Sequence, residues 1–446
     1  MQETTLPLDG LSSVRGKPVI ARFDGGMLSS NTGVLALGEI ERRLRIADRL
    51  AVCIEDPRDP TRIIHGLADM IGFRMKMIAA GYEDLNDACA LRRDPVFKMA
   101  EGVLPSDGEL ASQATLCRLE NGPGVRELLA MGRAFVDLYC ASFKVPPKRI
   151  VLDIDDTFDA VHGGQQLRLF NAHHDEYGFQ PIVVFDEAGR FVAAVLRPAK
   201  RPNGVEIRAH LRRLVRAIRA HWPRTRILIR ADSHYTSPLV IDWCRANAVD
   251  FVLGLAPSAP LRRRVETLEA STHARFEAST KTDKIRRFKD FYHAADSWTR
   301  AERVVARVEV GPQGADTRFV VTSLAGGRAK TIYEEVYCAR GQAENHIKAF
   351  KTHLAADRTS CTKATANQFR LFLHAGAYWL LWSLRAALPR RSRFAVAQFD
   401  TLRLRVIKIA ARVMEMKTQI RVSLPSSCPD EPLMRLLLQK IPRLVT

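Results

Sequence analysis

The hydrophobic period of the chain changes at Arg149, and this change limits its folds more than any other feature. Before it, apolar residues recur at helical spacing, as in Ile40, Leu44, Ala47, Ala51 and Ile54, or Ile64, Leu67, Ile71, Met75 and Ile78, with Pro57, Pro60, Pro95 and Pro105 as breaks. After it, short runs rich in β-branched residues follow one another: RIVLDIDDT (149–157), QLRLFNAHH (166–174), QPIVVFD (180–186) and RFVAAVLR (190–197), with turns at Gly163-Gly164, Gly178 and Asp186 to Gly189. These predict an antiparallel meander. An amphipathic helix over 205–222, a strand RILIRAD (226–232), a helix near 237–246 and a strand DFVLGLA (250–256) come next. Strands alternating with helices predict an α/β sheet.

From 257 to 332 the pattern is strand-like and charged, in KIRRFKDFYHA, RVVARVEV and TRFVVTSL, which predicts a β-rich insertion. Helix resumes near 333 and continues into a long apolar helix at 368–388. A chain of 446 residues exceeds one ordinary core. The predicted division is a helical unit at 1–146, an α/β core in two parts at 147–256 and 333–388, the insertion at 257–332, and a basic, helical C-terminal region at 389–446. Within the first unit, SDGELASQATLCRLENG (106–122) fits either a helix, a turn at Ser112 and a second helix of the kind that enters a major groove, or a plain helical hairpin.

Composition narrows the partners. The balance of 68 Lys plus Arg against 49 Asp plus Glu gives a net charge of +19, so a polyanion is the expected partner, bound more weakly as salt rises. From Arg385 to the end, 13 basic residues face four acids. Arg262 to Arg264 and KIRRFK (284–289) are either solvated faces or contacts to a DNA backbone. The longest near-apolar run, 372–384, is too short to span a bilayer, and MQETTLPLDG lacks a basic segment followed by an apolar one. A cytoplasmic protein with no membrane partner is therefore expected. Eight cysteines without a C-x-x-C pair argue against a zinc site or a disulfide framework, and the adjacent His173 and His174 read as a turn or surface pair.

Chemistry is concentrated in a few carboxylates. Asp153 and Asp155 lie two apart on one strand, hence on one face, and Asp232 closes the strand ILIRAD. Taken alone, either strand-end aspartate reads more readily as a cap of the following turn. With Glu344 they form a set of hard oxygen donors suited to Mg2+ or Mn2+. Two such ions about 4 Å apart can activate a water or a 3′ hydroxyl on one side of a phosphodiester and stabilise the leaving oxygen on the other. In YCARGQAENHIKAFK (337–351), a regular helix places Tyr337, Arg340, Glu344 and Lys351 within a sector of roughly 60°. Glu344 then reads as a metal ligand, and Arg340, Lys351 and Tyr337 as phosphate contacts; the competing reading is a helix surface with ordinary ion pairs.

The spacing Tyr337, Arg340, Glu344, Lys351 reproduces the Y-x2-R-x3-E-x6-K pattern and resembles bacterial insertion-sequence DDE transposases. LDIDDT, IRADSHY, IAAGYEDLNDA and LASQATLCRLEN look more particularly like the insertion-sequence thirteen-eighty family, with the similarity covering roughly 35–430. The resemblance implies an RNase H-like catalytic core interrupted by a β-rich insertion. It implies Asp155, Asp232 and Glu344 as catalytic, metal-binding acids, the family's D-x-T pattern falling on Asp155 to Thr157, with Asp153 in reserve. Trp298 resembles the insertion aromatic that stacks on a flipped base in related transposases, although a core tryptophan is an equal reading.

The implied activity is binding of the terminal inverted repeats of an insertion sequence through the helical N-terminal unit, cleavage of the DNA ends and joining of the 3′ hydroxyls to target DNA. A homodimer would hold the two ends, in a nucleoid-associated bacterial protein. The competing readings are an RNase H-like nuclease or resolvase without strand transfer, and a non-catalytic DNA-binding regulator.

Overall fold

The computed structural model of the chain describes residues 8, 10–279 and 284–441. Most of MQETTLPLDG, on which the cytoplasmic expectation rests, lies outside them. The chain divides into two compact units, one running to Gly122 and resumed from Gly376, the other Pro123–Ala375. Among the described residues no helix is long and apolar enough to cross a membrane.

The first unit packs around the helix Leu67–Ala79, in which every residue from Met70 to Ala79 is buried. Two of these are basic, and each is answered by an acid: Arg74 by Glu120 at 2.9 Å, and Lys76 by Glu101 at 2.7 Å. A buried charge is tolerated only when paired in this way. Neither the helix–turn–helix nor the helical hairpin expected at 106–122 is present, since no helix occupies 106–112. The Lys98 ammonium donates to the carbonyls of Pro105 and Asp107 at 2.6 and 2.5 Å and holds that segment as a loop, so that helix begins only at Gln113–Glu120, capped by Ser112. The basic C-terminal region also departs from the helical expectation. Its strands Ala411–Glu415 and Ile420–Ser423 pair antiparallel, and the helix Glu431–Lys440 follows.

The second unit is built on one eight-stranded mixed sheet: β1 (Arg149–Asp156), β2 (Ile182–Asp186), β3 (Phe191–Val195), β4 (Arg226–Ala231), β5 (Asp250–Leu255), β6 (Ile285–His293), β7 (Glu302–Gly311) and β8 (Gly314–Thr322). Their order is β6-β7-β8-β5-β4-β1-β2-β3. β1 pairs antiparallel with β2 and β2 with β3, whereas β1, β4 and β5 run parallel. Helix α1 (Val125–Ala141) precedes β1, while α2 (Gly204–His221) and α3 (Pro238–Ala246) make the crossovers that parallel neighbours require. The uninterrupted burial of Ile150 to Ile154 explains why β1 reads as an apolar run rather than an alternating one.

Two sequence expectations need correction here. QLRLFNAHH does not join the meander: Leu169–Asn171 pairs instead with Glu176–Phe179, which pairs with Asp159–Ala160, in a small separate sheet. The segment after 257 opens with a 19-residue helix, α4 (Ala259–Glu277). The strands that follow do not form a sheet of their own, because β8 pairs with β5 through Phe319↔Leu255 to Thr322↔Val252 and so extends the core sheet.

Candidate functional site

Because β1 and β4 are parallel neighbours, the residues at their C-terminal ends meet at one edge of the sheet. Asp155 stands near the end of β1, and Asp232 follows the last residue of β4 and caps the turn Ser233–Tyr235, accepting from the His234 amide at 2.8 Å. Burial pushes the Asp155 carboxyl up to about 6; Arg340 opposes this, and the nearby Asp232 carboxylate adds to it. The Arg340 guanidinium donates from Nη1 to Asp155 Oδ2 at 2.7 Å, with both side chains largely enclosed.

Asp153, on the same face of β1, has a different partner. Arg230 of β4 donates to both of its carboxylate oxygens at 2.7 Å and, through Nη1, to the Val336 carbonyl at 2.8 Å. Asp156 points elsewhere, accepting from the buried Tyr235 hydroxyl at 3.0 Å and from the Gln180 amide. Of the three neighbouring acids, Asp155 is the one hydrogen-bonded to Arg340, and its carboxyl is raised by the nearby Asp232. Spacing alone did not separate them; the basic residue at 230, two before Asp232, was the available signal.

The segment that carries the motif is not a regular helix. It winds as a π-helical stretch (Thr331–Tyr337), a 3-10 turn (Cys338–Arg340), the α-helix α5 (Gly341–Lys348) and a second π-helical stretch (Ala349–His353). The single 60° sector therefore does not hold. Tyr337 and Arg340 are brought to Asp232, where all three line a cavity of about 570 Å³ together with Arg262, Phe319 and Tyr333. Glu344 is exposed on α5, and among the described residues no group of three His, Cys, Asp or Glu side chains lies close enough to hold a metal. Lys351 is engaged inside the protein: its ammonium donates to the Phe158 carbonyl and lies 3.6 Å from the buried Asp159.

Sequence reasoning missed two residues that shape this site. Gly254 on β5 leaves room for its neighbours, since a Cβ there would lie 2.7 Å from the Tyr337 hydroxyl and 2.9 Å from the Ser233 amide nitrogen. Gly189, at φ +76° in the β2–β3 turn, would meet the His346 ring at 2.5 Å if it carried a Cβ, and this close approach seats α5. Only the turn signal at Gly189 was visible beforehand.

Trp298 is placed away from the acids. It lies in the β6–β7 loop, its ring 5.7 Å from that of His293. The register puts this loop at the far end of the sheet: Arg303 pairs with Thr322 and Thr322 with Val252, whereas the opposite ends of β7 and β8, Gly311 and Gly314, lie on the side of Leu255 and Asp232.

Asp155 and Asp232 are thus two carboxylates gathered at the C-terminal end of adjacent strands with a guanidinium beside them, and carboxylate oxygens are the donor type that hard divalent cations take. No curated protein matches the chain. Among solved structures it is similar to piggyBac transposase in a synaptic complex with hairpin DNA, at 11% identity and a TM-score of 0.40, covering 93% of this chain and 84% of that one. Residues 11–446 match the family described as transposase DDE domain group 1. That match runs through both units, and the chain belongs to this family of DDE transposases, the proteins of DNA transposition and mobile elements.

Proposed function

We propose that this transposase is a metal-dependent endonuclease and strand transferase that binds the terminal inverted repeats of its own insertion sequence, cleaves the DNA ends and joins the 3′ hydroxyls to target DNA. The observation that carries the reading is the convergence of Asp155, Asp232 and Arg340 at the C-terminal edge of adjacent parallel strands. We read β1 to β5 as an RNase H-like core, extended by an insertion at 257–332 between the second acid and the third. The Y-x2-R-x3-E-x6-K spacing supports a place near the insertion-sequence thirteen-eighty group.

In this reading Asp155 and Asp232 hold the metal and Glu344 completes the set from α5. The family uses divalent metal ions, and bound Mg2+ or Mn2+ supplies Lewis-acid activation of the attacking oxygen and stabilisation of the leaving one. Arg340 and Tyr337, on the wall of the cavity beside Asp232, hold backbone phosphates of the strand being cut. Lys351 serves from the far end of the same segment, once released from Phe158 and Asp159. The helical first unit and the basic C-terminal region contact the double-stranded repeat, and a homodimer holds the two ends.

A labelled duplex bearing the element's terminal repeat tests this with Mg2+, Mn2+ or EDTA, for wild type and Asp232→Asn. Metal-dependent cutting at the repeat boundary that disappears in the variant is the expected result. Cutting that persists in Asp232→Asn would remove the acid pair from the mechanism. Pre-cut ends offered with a target duplex separate a transposase, which joins them, from a nuclease, which does not.

A further inference from the structure

The Arg340 contact has a consequence beyond phosphate binding. Its guanidinium sits on Asp155 at 2.7 Å, within electrostatic reach of Asp232 as well. It also lines the 570 Å³ cavity beside Asp232, a cavity large enough to admit a phosphate group. One cationic side chain thus faces both the acids and the space from which an anion would approach. Its backbone is a 3-10 turn between a π-helical stretch and α5, a kind of winding that often marks a hinge. Glu344, one helical turn further on, is exposed.

Resting on the proposed function, we infer that Arg340 is the resident counter-cation of the acid pair, holding Asp155 until a DNA phosphate draws the guanidinium away and frees the carboxylate to bind metal. Arg340 and a metal ion compete for one carboxylate, whereas Arg340 and a phosphate attract. DNA binding and metal loading are therefore coupled through this side chain, and the full site assembles only on DNA. An enzyme built this way avoids carrying a loaded metal centre before its substrate has arrived. A guanidinium suits the task because it stays charged at any working pH and its several donors can pass from carboxylate to phosphate without a proton changing hands.

Mn2+ binding to the full-length chain, followed by electron paramagnetic resonance of the free ion, tests the idea without relying on turnover. Without DNA, Arg340→Gln and Arg340→Met should each bind Mn2+ about tenfold more tightly than wild type, the size of an ordinary coupling between two sites. A random-sequence duplex, corrected for the ion it binds alone, should then tighten Mn2+ binding to wild type but not to the variants. Variants that fold, as judged by circular dichroism, yet bind Mn2+ no better than wild type would overturn the counter-cation role. An equal response of wild type and variants to DNA would overturn the coupling. If, with the duplex present, wild type and Asp155→Asn bind Mn2+ alike, it is the metal-binding role of Asp155 that fails.

Discussion

Arg230 grips both carboxylate oxygens of Asp153 at 2.7 Å from the adjacent parallel strand, and its Nη1 reaches on to the Val336 carbonyl at 2.8 Å. One buried ion pair thereby ties β1, β4 and the motif segment together, one residue before Tyr337. Removing one partner leaves the other charged and unanswered inside the protein. Asp153→Ala should cost about 3 to 5 kcal/mol in chemical denaturation. Asp155→Asn should stay within about 1 kcal/mol of wild type or be more stable, while losing cleavage. The opposite pattern would exchange the roles assigned to the two acids.

The Asp155 carboxyl gives a pH dependence of definite sign. Burial, with repulsion from Asp232, raises it to about 6 in the folded protein, against roughly 3.9 in an unfolded chain. Between those values the folded state binds the extra proton, so this group makes folding less favourable as pH rises from about 4 to about 6. Above that range its charge is present and its contribution is constant. Denaturant midpoints at pH 4.5 and 7 should show Asp155→Asn gaining on wild type at the higher pH.

Gly254 is where a single methyl group should disturb the site. A Cβ there meets the Tyr337 hydroxyl at 2.7 Å and the Ser233 amide nitrogen at 2.9 Å, so Gly254→Ala displaces the tyrosine and the turn capped by Asp232. Overpacking of this kind costs about 1 to 3 kcal/mol. The double variant Gly254→Ala, Tyr337→Phe removes the hydroxyl from the collision and should regain part of the lost stability. If it regains none, the Ser233 side of the contact dominates.

Much of this architecture is legible in the residues, and the illegible parts share a physical cause. β1, β4 and β5 are apolar runs bounded by turns, and their crossover helices carry clear apolar faces, so periodicity marks them closely. α4 was missed because only Leu261, Val265 and Thr272 are buried along it, too few to register as a helical stripe. The winding of 331–353 was missed because it depends on tertiary contacts: the Val336 carbonyl on Arg230, the Tyr337 hydroxyl in the space left by Gly254, and His346 over Gly189. Asp155 and Asp232 were visible as acids ending apolar strands. That Asp153 belongs to Arg230 depends on β1–β4 register, in which the two residues are direct partners, and register is not written in either strand alone.

The position of Trp298 makes the last prediction. An aromatic in the insertion invites a role at the DNA end, but the antiparallel pairing of β6, β7 and β8 carries this loop to the end of the sheet opposite Asp232. What it contacts there is local: the His293 ring at 5.7 Å and, through its own amide, the Ala295 carbonyl at 2.8 Å. The neighbouring Thr299 hydroxyl bonds Asp242 on α3 at 2.6 Å, which anchors the loop to the core. Trp298→Ala should therefore change the rate of end cleavage by no more than about twofold, the range of a substitution remote from the chemistry. Tyr337→Ala, on the cavity wall beside Asp232, should lower it by at least about tenfold through loss of a group that positions the substrate. Measured side by side on one labelled terminal-repeat duplex, the two variants test whether DNA is held at the Asp232 end of the sheet. A large loss with Trp298→Ala and none with Tyr337→Ala would place the substrate at the other end.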